Sequence, residues 1–168
     1  VGDKSLSDWA DKGTPIEMVG ASNNEQEEVE LNDEDIKINS VKFAWDETGI
    51  YIAYDVFDDH LSWVPNSYWN GDGVEIFMTQ NTDSSKNLSG LKVEDPTCMQ
   101  LFMGDDSCGG CQVVAARTSV EILDKKEEIL MSFWVKEDNK GYCGEVFIPF
   151  TVVPDILAKI ENGEAISL

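Results

Sequence analysis

Val41-Lys42-Phe43-Ala44-Trp45, then Asp46-Glu47-Thr48-Gly49, then Ile50-Tyr51-Ile52-Ala53-Tyr54-Asp55-Val56-Phe57 is the stretch on which the fold is read. Val41, Phe43 and Trp45 alternate with Lys42 and Ala44. After four turn-forming residues, Ile50, Ile52, Tyr54 and Val56 alternate with Tyr51, Ala53, Asp55 and Phe57. A period of two marks a strand with one buried face, and two such runs joined by an Asp/Gly turn predict an antiparallel hairpin. The pattern continues downstream. Val74, Ile76 and Met78 oppose Glu75, Phe77 and Thr79, and Met99, Leu101 and Met103 oppose Cys98, Gln100 and Phe102. Further blocks run over 112–116, 119–123, 129–136 and 142–148. Stacked sheets bury such faces against each other, so the predicted fold is all-β: an antiparallel β-sandwich of jelly-roll or immunoglobulin-like type. At most one short helix is expected, over 154–160 near the C-terminus, where Asn162-Gly163 stops it. By the same alternation Trp45 is read as core, as are Trp9 and Trp134.

The 168 residues carry Lys+Arg 12 against Asp+Glu 33, a net charge of −21. A nucleic-acid binder gains affinity by releasing counterions from cationic patches, and this chain has too few cations to build one. Anionic membrane surfaces are disfavoured for the same reason. With 42% hydrophobic and 10% aromatic residues, the chain is richer than a disordered acidic tail, and one folded domain over 1–168 is expected. No apolar run of about 18 residues occurs, so no membrane insertion is expected. Polar stretches at 23–30 and 81–90 read as long surface loops. Asn87-Leu88-Ser89 is a single glycosylation sequon, a match close to chance.

The order and spacing of three motifs resemble the family 9 carbohydrate-binding modules. They are Trp45-Asp46-Glu47-Thr48-Gly49-Ile50-Tyr51-Ile52-Ala53, then Val56-Phe57-Asp58-Asp59, then Trp69-Asn70-Gly71-Asp72-Gly73-Val74-Glu75-Ile76-Phe77. Gly2-Asp3 with Asp8-Trp9 resembles that family's N-terminal element. Gly141-Tyr142-Cys143-Gly144-Glu145-Val146-Phe147-Ile148-Pro149-Phe150 resembles one of its later strands. Together these elements span most of the chain. The resemblance implies a β-sandwich related in fold to DOMON domains, some of which bind sugar and some haem.

In that family the Trp corresponding to Trp69 stacks on a sugar ring, and the Glu corresponding to Glu75 hydrogen-bonds its hydroxyls. A pyranose offers C–H groups to an aromatic face while its hydroxyls need polar partners at the rim. Trp69, among Tyr68, Asn70 and Gly71, is therefore the expected platform, the alternative being a plug at one end of the sandwich. Trp63 is a second platform candidate. Pairing as in the family would bring Gln100 and Phe102 onto the face that carries Glu75. The family's Arg and Asn on that strand align with Phe102 and Gly104, so this chain departs there. It also ends at Ala165-Ile166-Ser167-Leu168, short of the family's last strands and their further stacking Trp. Either the sequence is cut there or the site is half of a two-Trp clamp.

Asp58, Asp59 and Asp72 flank the expected binding loop. Clustered carboxylates whose repulsion a Ca²⁺ relieves commonly pin such loops, and the family carries structural ions, so a structural Ca²⁺ on these three is expected. The alternative is that carboxylates are simply abundant; Asp105-Asp106 is a lesser candidate. Cys108-Gly109-Gly110-Cys111 lies in a turn between predicted strands, where a local disulfide is expected rather than a redox or zinc site. The even cysteine set, completed by Cys98 and Cys143, suits an oxidising compartment. His60 is the one histidine, and no nucleophile elbow, phosphate loop or zinc-protease motif occurs, so no enzyme activity is expected.

The sequence is therefore read as a non-catalytic module that binds a plant-type polysaccharide or oligosaccharide. Its expected setting is extracellular or at the cell surface, within a larger glycoside-active or cell-surface protein. The alternatives are a protein–protein adhesion or scaffold domain, and a haem domain using His60 with Met78, Met99 or Met103.

Overall fold

The hairpin forms in the predicted register. Strands β2 (Ile36–Trp45) and β3 (Gly49–Asp58) pair antiparallel, with Phe43 opposite Ile52 and Trp45 opposite Ile50. Between them the Asp46 carboxylate accepts from the Thr48 N–H at 2.7 Å, the Thr48 hydroxyl at 2.6 Å and the Gly49 N–H at 3.2 Å. The Thr48 bonds hold this carboxyl below the usual carboxylate range. The computed structural model describes residues 1–16, 36–83 and 93–167. The loop at 23–30, most of that at 81–90, the sequon and Leu168 lie outside them.

Two antiparallel sheets face each other. The larger has the order β1-β2-β3-β8-β7, with β1 Thr14–Pro15, β7 Leu130–Val135 and β8 Tyr142–Pro149. The smaller is β4-β5-β6, with β4 Val74–Met78, β5 Met99–Met103 and β6 Gln112–Val113. The core lies between them: Ile50, Ile52, Tyr54 and Val56 of β3 and Val146 and Ile148 of β8 meet Met78, Met99, Leu101 and Met103. The predicted β-sandwich is the observed fold. Pro154–Glu161 forms the expected helix and seals one end of the core through Ile156.

Local departures have physical causes. The block at 119–123, expected as a strand, is a helical turn over Val120–Leu123, and 115–117 is a 3₁₀ turn. Only Ile122 of that helical turn enters the core. Trp45 is 56% exposed rather than buried, because alternation assigns it a face but not a partner at the strand end. Trp134 is half-buried. Trp9 is buried, but on the outer side of the larger sheet, where its indole N–H donates to Glu145 Oε1 at 2.8 Å. Glu145 is only 1% exposed, so this bond answers a buried carboxylate, a group costly to leave unpaired.

The expected Cys108–Cys111 disulfide is absent. The two thiols pack into different apolar clusters. Cys108 packs with Phe102 and Val114 on the outer side, donating to the Asp105 carbonyl at 3.0 Å. Cys111 packs against the inner core, where burial raises its thiol to about 11.

Asp95 joins the end of β4 to the start of β5. It accepts from the Thr79 hydroxyl at 2.5 Å, the Thr97 hydroxyl at 2.6 Å and the Thr97 N–H at 2.8 Å. Burial pushes its carboxyl up, but these hydrogen bonds outweigh that and hold it below the usual range. Such a group stabilises the fold above its unfolded value, and the contribution is lost as pH falls through the depressed one. Asp95→Asn is expected to flatten the acid side of a stability profile, read as urea midpoints between about pH 3 and 6. On the larger sheet, a Cβ at Gly144 would lie 2.2 Å from the Tyr54 hydroxyl and 2.8 Å from the Ser132 carbonyl. Gly144→Ala overpacks this site and is expected to cost about 1–3 kcal/mol in the same unfolding assay.

Candidate functional site

Because Val74, Ile76 and Met78 turn inward with Met99, Leu101 and Met103, the outer face of the smaller sheet carries Glu75, Phe77, Gln100 and Phe102. Glu75 pairs across the strands with Phe102, and Phe77 with Gln100. Glu75 is exposed and Phe77 half-buried, whereas Gln100 and Phe102 are buried. The expected juxtaposition therefore holds, but half of the face is covered. Phe102 packs under Cys108, Val114 and Tyr68, while Val114 and Thr118 continue the edge of the sheet beside β5: the Val114 N–H donates to the Gln100 carbonyl at 2.8 Å, and the Gln100 N–H donates to the Thr118 hydroxyl at 3.1 Å. Phe102 is thus a support beneath the surface and not a contact surface.

Trp69 sits on the 3₁₀ turn Tyr68–Asn70 that precedes β4. It is 64% exposed. Its ring meets the edge of Tyr68 at 4.8 Å, and Tyr68 in turn lies 4.9 Å from Phe102. The Phe102 ring fits between two glycines: a Cβ at Gly73 would lie 2.6 Å from it, and one at Gly104 would lie 2.7 Å away. Trp69 is therefore an exposed aromatic plate on a packed aromatic stack, at the Glu75 end of β4. The sequence reading missed Tyr68, whose place next to Trp69 hid its role as the linking ring.

Arg117 was missed as well. It is the sole arginine of the chain, and its guanidinium carbon lies 6.0 Å from the centroid of the Phe77 ring. Its signal in the sequence was only its rarity among acidic residues. Trp63 does not join the site. It packs edge-on against Phe133 at 5.6 Å and Tyr142 at 6.2 Å, closing the space between the sheets.

Of the three acidic candidates, the structure brings two together. Asp58 is buried at the end of β3, beside Asp72, whose carboxylate accepts from the Ser62 N–H. Burial, then the neighbouring Asp58 charge, raises the Asp72 carboxyl, while the Ser62 bond opposes the shift. Asp59 turns away, its carboxylate 2.7 Å from His60 Nδ1. Asp105 caps a 3₁₀ turn by accepting from the Ser107 N–H at 2.9 Å. Among the described residues no group of three or more His, Cys, Asp or Glu side chains forms a metal-binding cluster. Met78, Met99 and Met103 are fully buried in the core, while the His60 side chain is 87% exposed, so these residues do not converge on a haem. Among the described residues, no helix is long and apolar enough to cross a membrane.

The plate and its support respond differently to truncation. Phe102→Ala is expected to cost about 3–5 kcal/mol, the usual loss for a buried phenylalanine. Trp69→Ala is expected to shift stability by at most about 0.5 kcal/mol, as for an exposed side chain away from the core. Denaturant unfolding of both variants checks the contrast.

Residues 18–95 match the family model described as carbohydrate family 9 binding domain-like. No curated protein matches the chain. Two solved structures are similar, both of a carbohydrate binding module family 9 (CBM9) from Caldicellulosiruptor kristjanssonii. The complex with cellotriose shares 16% identity at a TM-score of 0.56, covering 89% of this chain and 62% of that one. The complex with glucose shares 17% identity at a TM-score of 0.57, covering 89% of this chain and 63% of that one. The chain thus spans less than two thirds of the structures it matches. Residues 18–95 are thus similar in sequence to the carbohydrate family 9 binding domains, and the β-sandwich fold of the chain is similar to that of the two family 9 modules.

Proposed function

We propose that the chain is a non-catalytic carbohydrate-binding module, with a sugar ring stacked on Trp69 and hydroxyls donating to Glu75. The observation that carries this reading is the exposed Trp69 ring held on Tyr68 and Phe102 beside the exposed Glu75. A rigid aromatic plate with a carboxylate at its rim meets both halves of a pyranose, its C–H face and its hydroxyls. Because the stack fixes the ring beforehand, little side-chain freedom is lost on binding. The two similar structures hold cellotriose and glucose, which favours a β-glucan or another plant-type polysaccharide as the ligand. The setting we propose is a larger glycoside-active or cell-surface protein outside the cell, where the module raises the local concentration of its attached partner on the polysaccharide.

We also propose that a structural Ca²⁺ sits at Asp58 and Asp72. Two carboxylates in contact, one of them raised by burial and then by the other's charge, are a fitting start for a hard cation. Carbonyl and water oxygens would complete the six to eight that Ca²⁺ takes. Its contribution is to neutralise this pair and fix the loop leading into Trp69. Asp59, paired with His60, is left out of this set.

Calorimetric titration with glucose, cellobiose and cellotriose tests the sugar reading. Binding in the millimolar to micromolar range, about −4 to −8 kcal/mol, is expected for the natural sequence. Trp69→Ala is expected to abolish it with the fold intact, and unchanged affinity in that variant would remove Trp69 from the site. For calcium, adding chelator is expected to lower the melting temperature, by ~3 °C or more for a site worth about 1 kcal/mol. Asp72→Asn is expected to erase that response. A melting temperature indifferent to calcium would leave Asp58 and Asp72 a plain acidic pair.

A further inference from the structure

The outer face of the smaller sheet does not end at Glu75. Two residues along β4, about 7 Å further by the rise of a strand, Phe77 lies on the same face with Arg117 over its ring at 6.0 Å. The cross-strand partner of Phe77 is Gln100. Its side-chain oxygen is buried and has no hydrogen-bond partner among the described residues. A guanidinium and an unsatisfied amide oxygen thus occupy one stretch of the face, next to the proposed sugar plate. No carboxylate of the described residues forms an ion pair with Arg117. Arg117 is thus, among the described residues, a guanidinium with no carboxylate partner in a chain of net charge −21.

The backbone that carries Arg117 is firmly placed. The Arg117 N–H donates to the Val114 carbonyl at 3.2 Å, the Thr118 hydroxyl donates to the same carbonyl at 2.8 Å, and the Ser119 N–H donates to the Cys98 carbonyl at 2.9 Å. Thr118 and Ser119 are buried. The side chain itself remains exposed, resting against an aromatic ring and holding a planar fork of donors toward solvent. This is how a guanidinium is presented to oxygen acceptors.

We infer that Arg117 forms a second sugar subsite on the Phe77 stretch of this face, donating to the hydroxyl and ring oxygens of the unit that follows the one on Trp69. The inference rests on the reading of Trp69 and Glu75 as the first subsite. Trp69 on the turn before β4, Glu75 on β4 and Arg117 over Phe77 of β4 succeed one another in the direction of that strand, so the site is a linear track for a chain of at least two sugar units. Its ligand is neutral: Glu75 stands between the plate and the guanidinium, and the acidic surround repels polyanions. Gln100, buried opposite Phe77, forms the floor beneath the second subsite.

Calorimetry with glucose, cellobiose and cellotriose on the natural chain, Arg117→Ala, Arg117→Met and Trp69→Ala tests this. The methionine variant keeps an apolar stem on Phe77 while removing the donors. Both Arg117 variants are expected to bind cellobiose and cellotriose about tenfold more weakly, the size of one lost charge-assisted hydrogen bond. Glucose affinity is expected to stay within about twofold, a difference under about 0.5 kcal/mol, and the melting temperature of the methionine variant to stay that of the natural chain. If the methionine variant binds cellotriose as tightly as the natural chain while Trp69→Ala abolishes binding, the second subsite is overturned and the first stands. Equal losses for glucose and cellotriose would also overturn it, by placing Arg117 on the first unit. If the natural chain binds none of the three sugars, both readings fall together.

Discussion

The register between β4 and β5 is the constraint on which both the core and the site depend. Val74 faces Met103, Ile76 faces Leu101 and Met78 faces Met99, and these six side chains supply the smaller sheet's share of the interior. Because the side-chain period of a strand is two, that commitment also decides the opposite face. Glu75 can stand outside because its neighbours stand inside. A slip of one residue would carry a carboxylate and an amide into the core and expel the methionines, which burial of apolar area forbids. Both ends of the pairing are pinned: at one, the Phe102 ring lies between Gly73 and Gly104; at the other, Asp95 ties Thr79 to Thr97. The position of the binding face is thus a by-product of packing.

The same reasoning explains what the sequence disclosed. Alternation in 41–57, 74–78, 98–103 and 142–148 fixed strand faces, so the sandwich, the inward methionines and the outward Glu75 were legible. Alternation says which face a residue takes and nothing about what lies over it. Gln100 and Phe102 were placed on the correct face, yet both are buried, Phe102 beneath Cys108, Val114 and Tyr68. Trp45 shares the period of Phe43 but lies at the end of β2, more than half exposed. The three-residue spacing of Cys108 and Cys111 is local, whereas the clusters that draw the two thiols apart are assembled from strands far along the chain. Trp63 could be distinguished from Trp69 only by long-range neighbours, Phe133 and Tyr142, from strands far along the chain.

The acidic pair shows a similar limit. Asp58 and Asp72 lie fourteen positions apart in sequence and meet because β3 ends where the loop before β4 begins. Asp59, adjacent to Asp58, points elsewhere, since successive side chains at a strand end diverge. Proximity in sequence suggested a trio; chain geometry selects a duo, and its second member is the distant one. Tyr142 joins the same neighbourhood from β8: its hydroxyl donates to the Gly73 carbonyl at 3.4 Å, and burial with the charges of Asp72 and Asp58 pushes its pKa up. The loop that carries Trp69 is therefore anchored to the larger sheet through the same polar cluster.

Charge and shape on the candidate face point to one kind of ligand. A strongly acidic protein gains nothing from a polyanion, because each approaching carboxylate or sulfate meets a repulsive field before it meets any contact. A neutral polyol carries no such penalty, and in the proposed mode its hydroxyls donate to Glu75 and accept from Arg117 without a change of protonation. Trp69 adds attraction that is independent of salt, since stacking on C–H groups depends on contact area and not on net charge. The aromatic stack beneath it reaches to Phe102, the residue opposite Glu75, so plate and carboxylate are held by one packed unit. Their spacing is set by the fold before any sugar arrives, and that shared support makes a single exposed tryptophan sufficient as the anchor of a site.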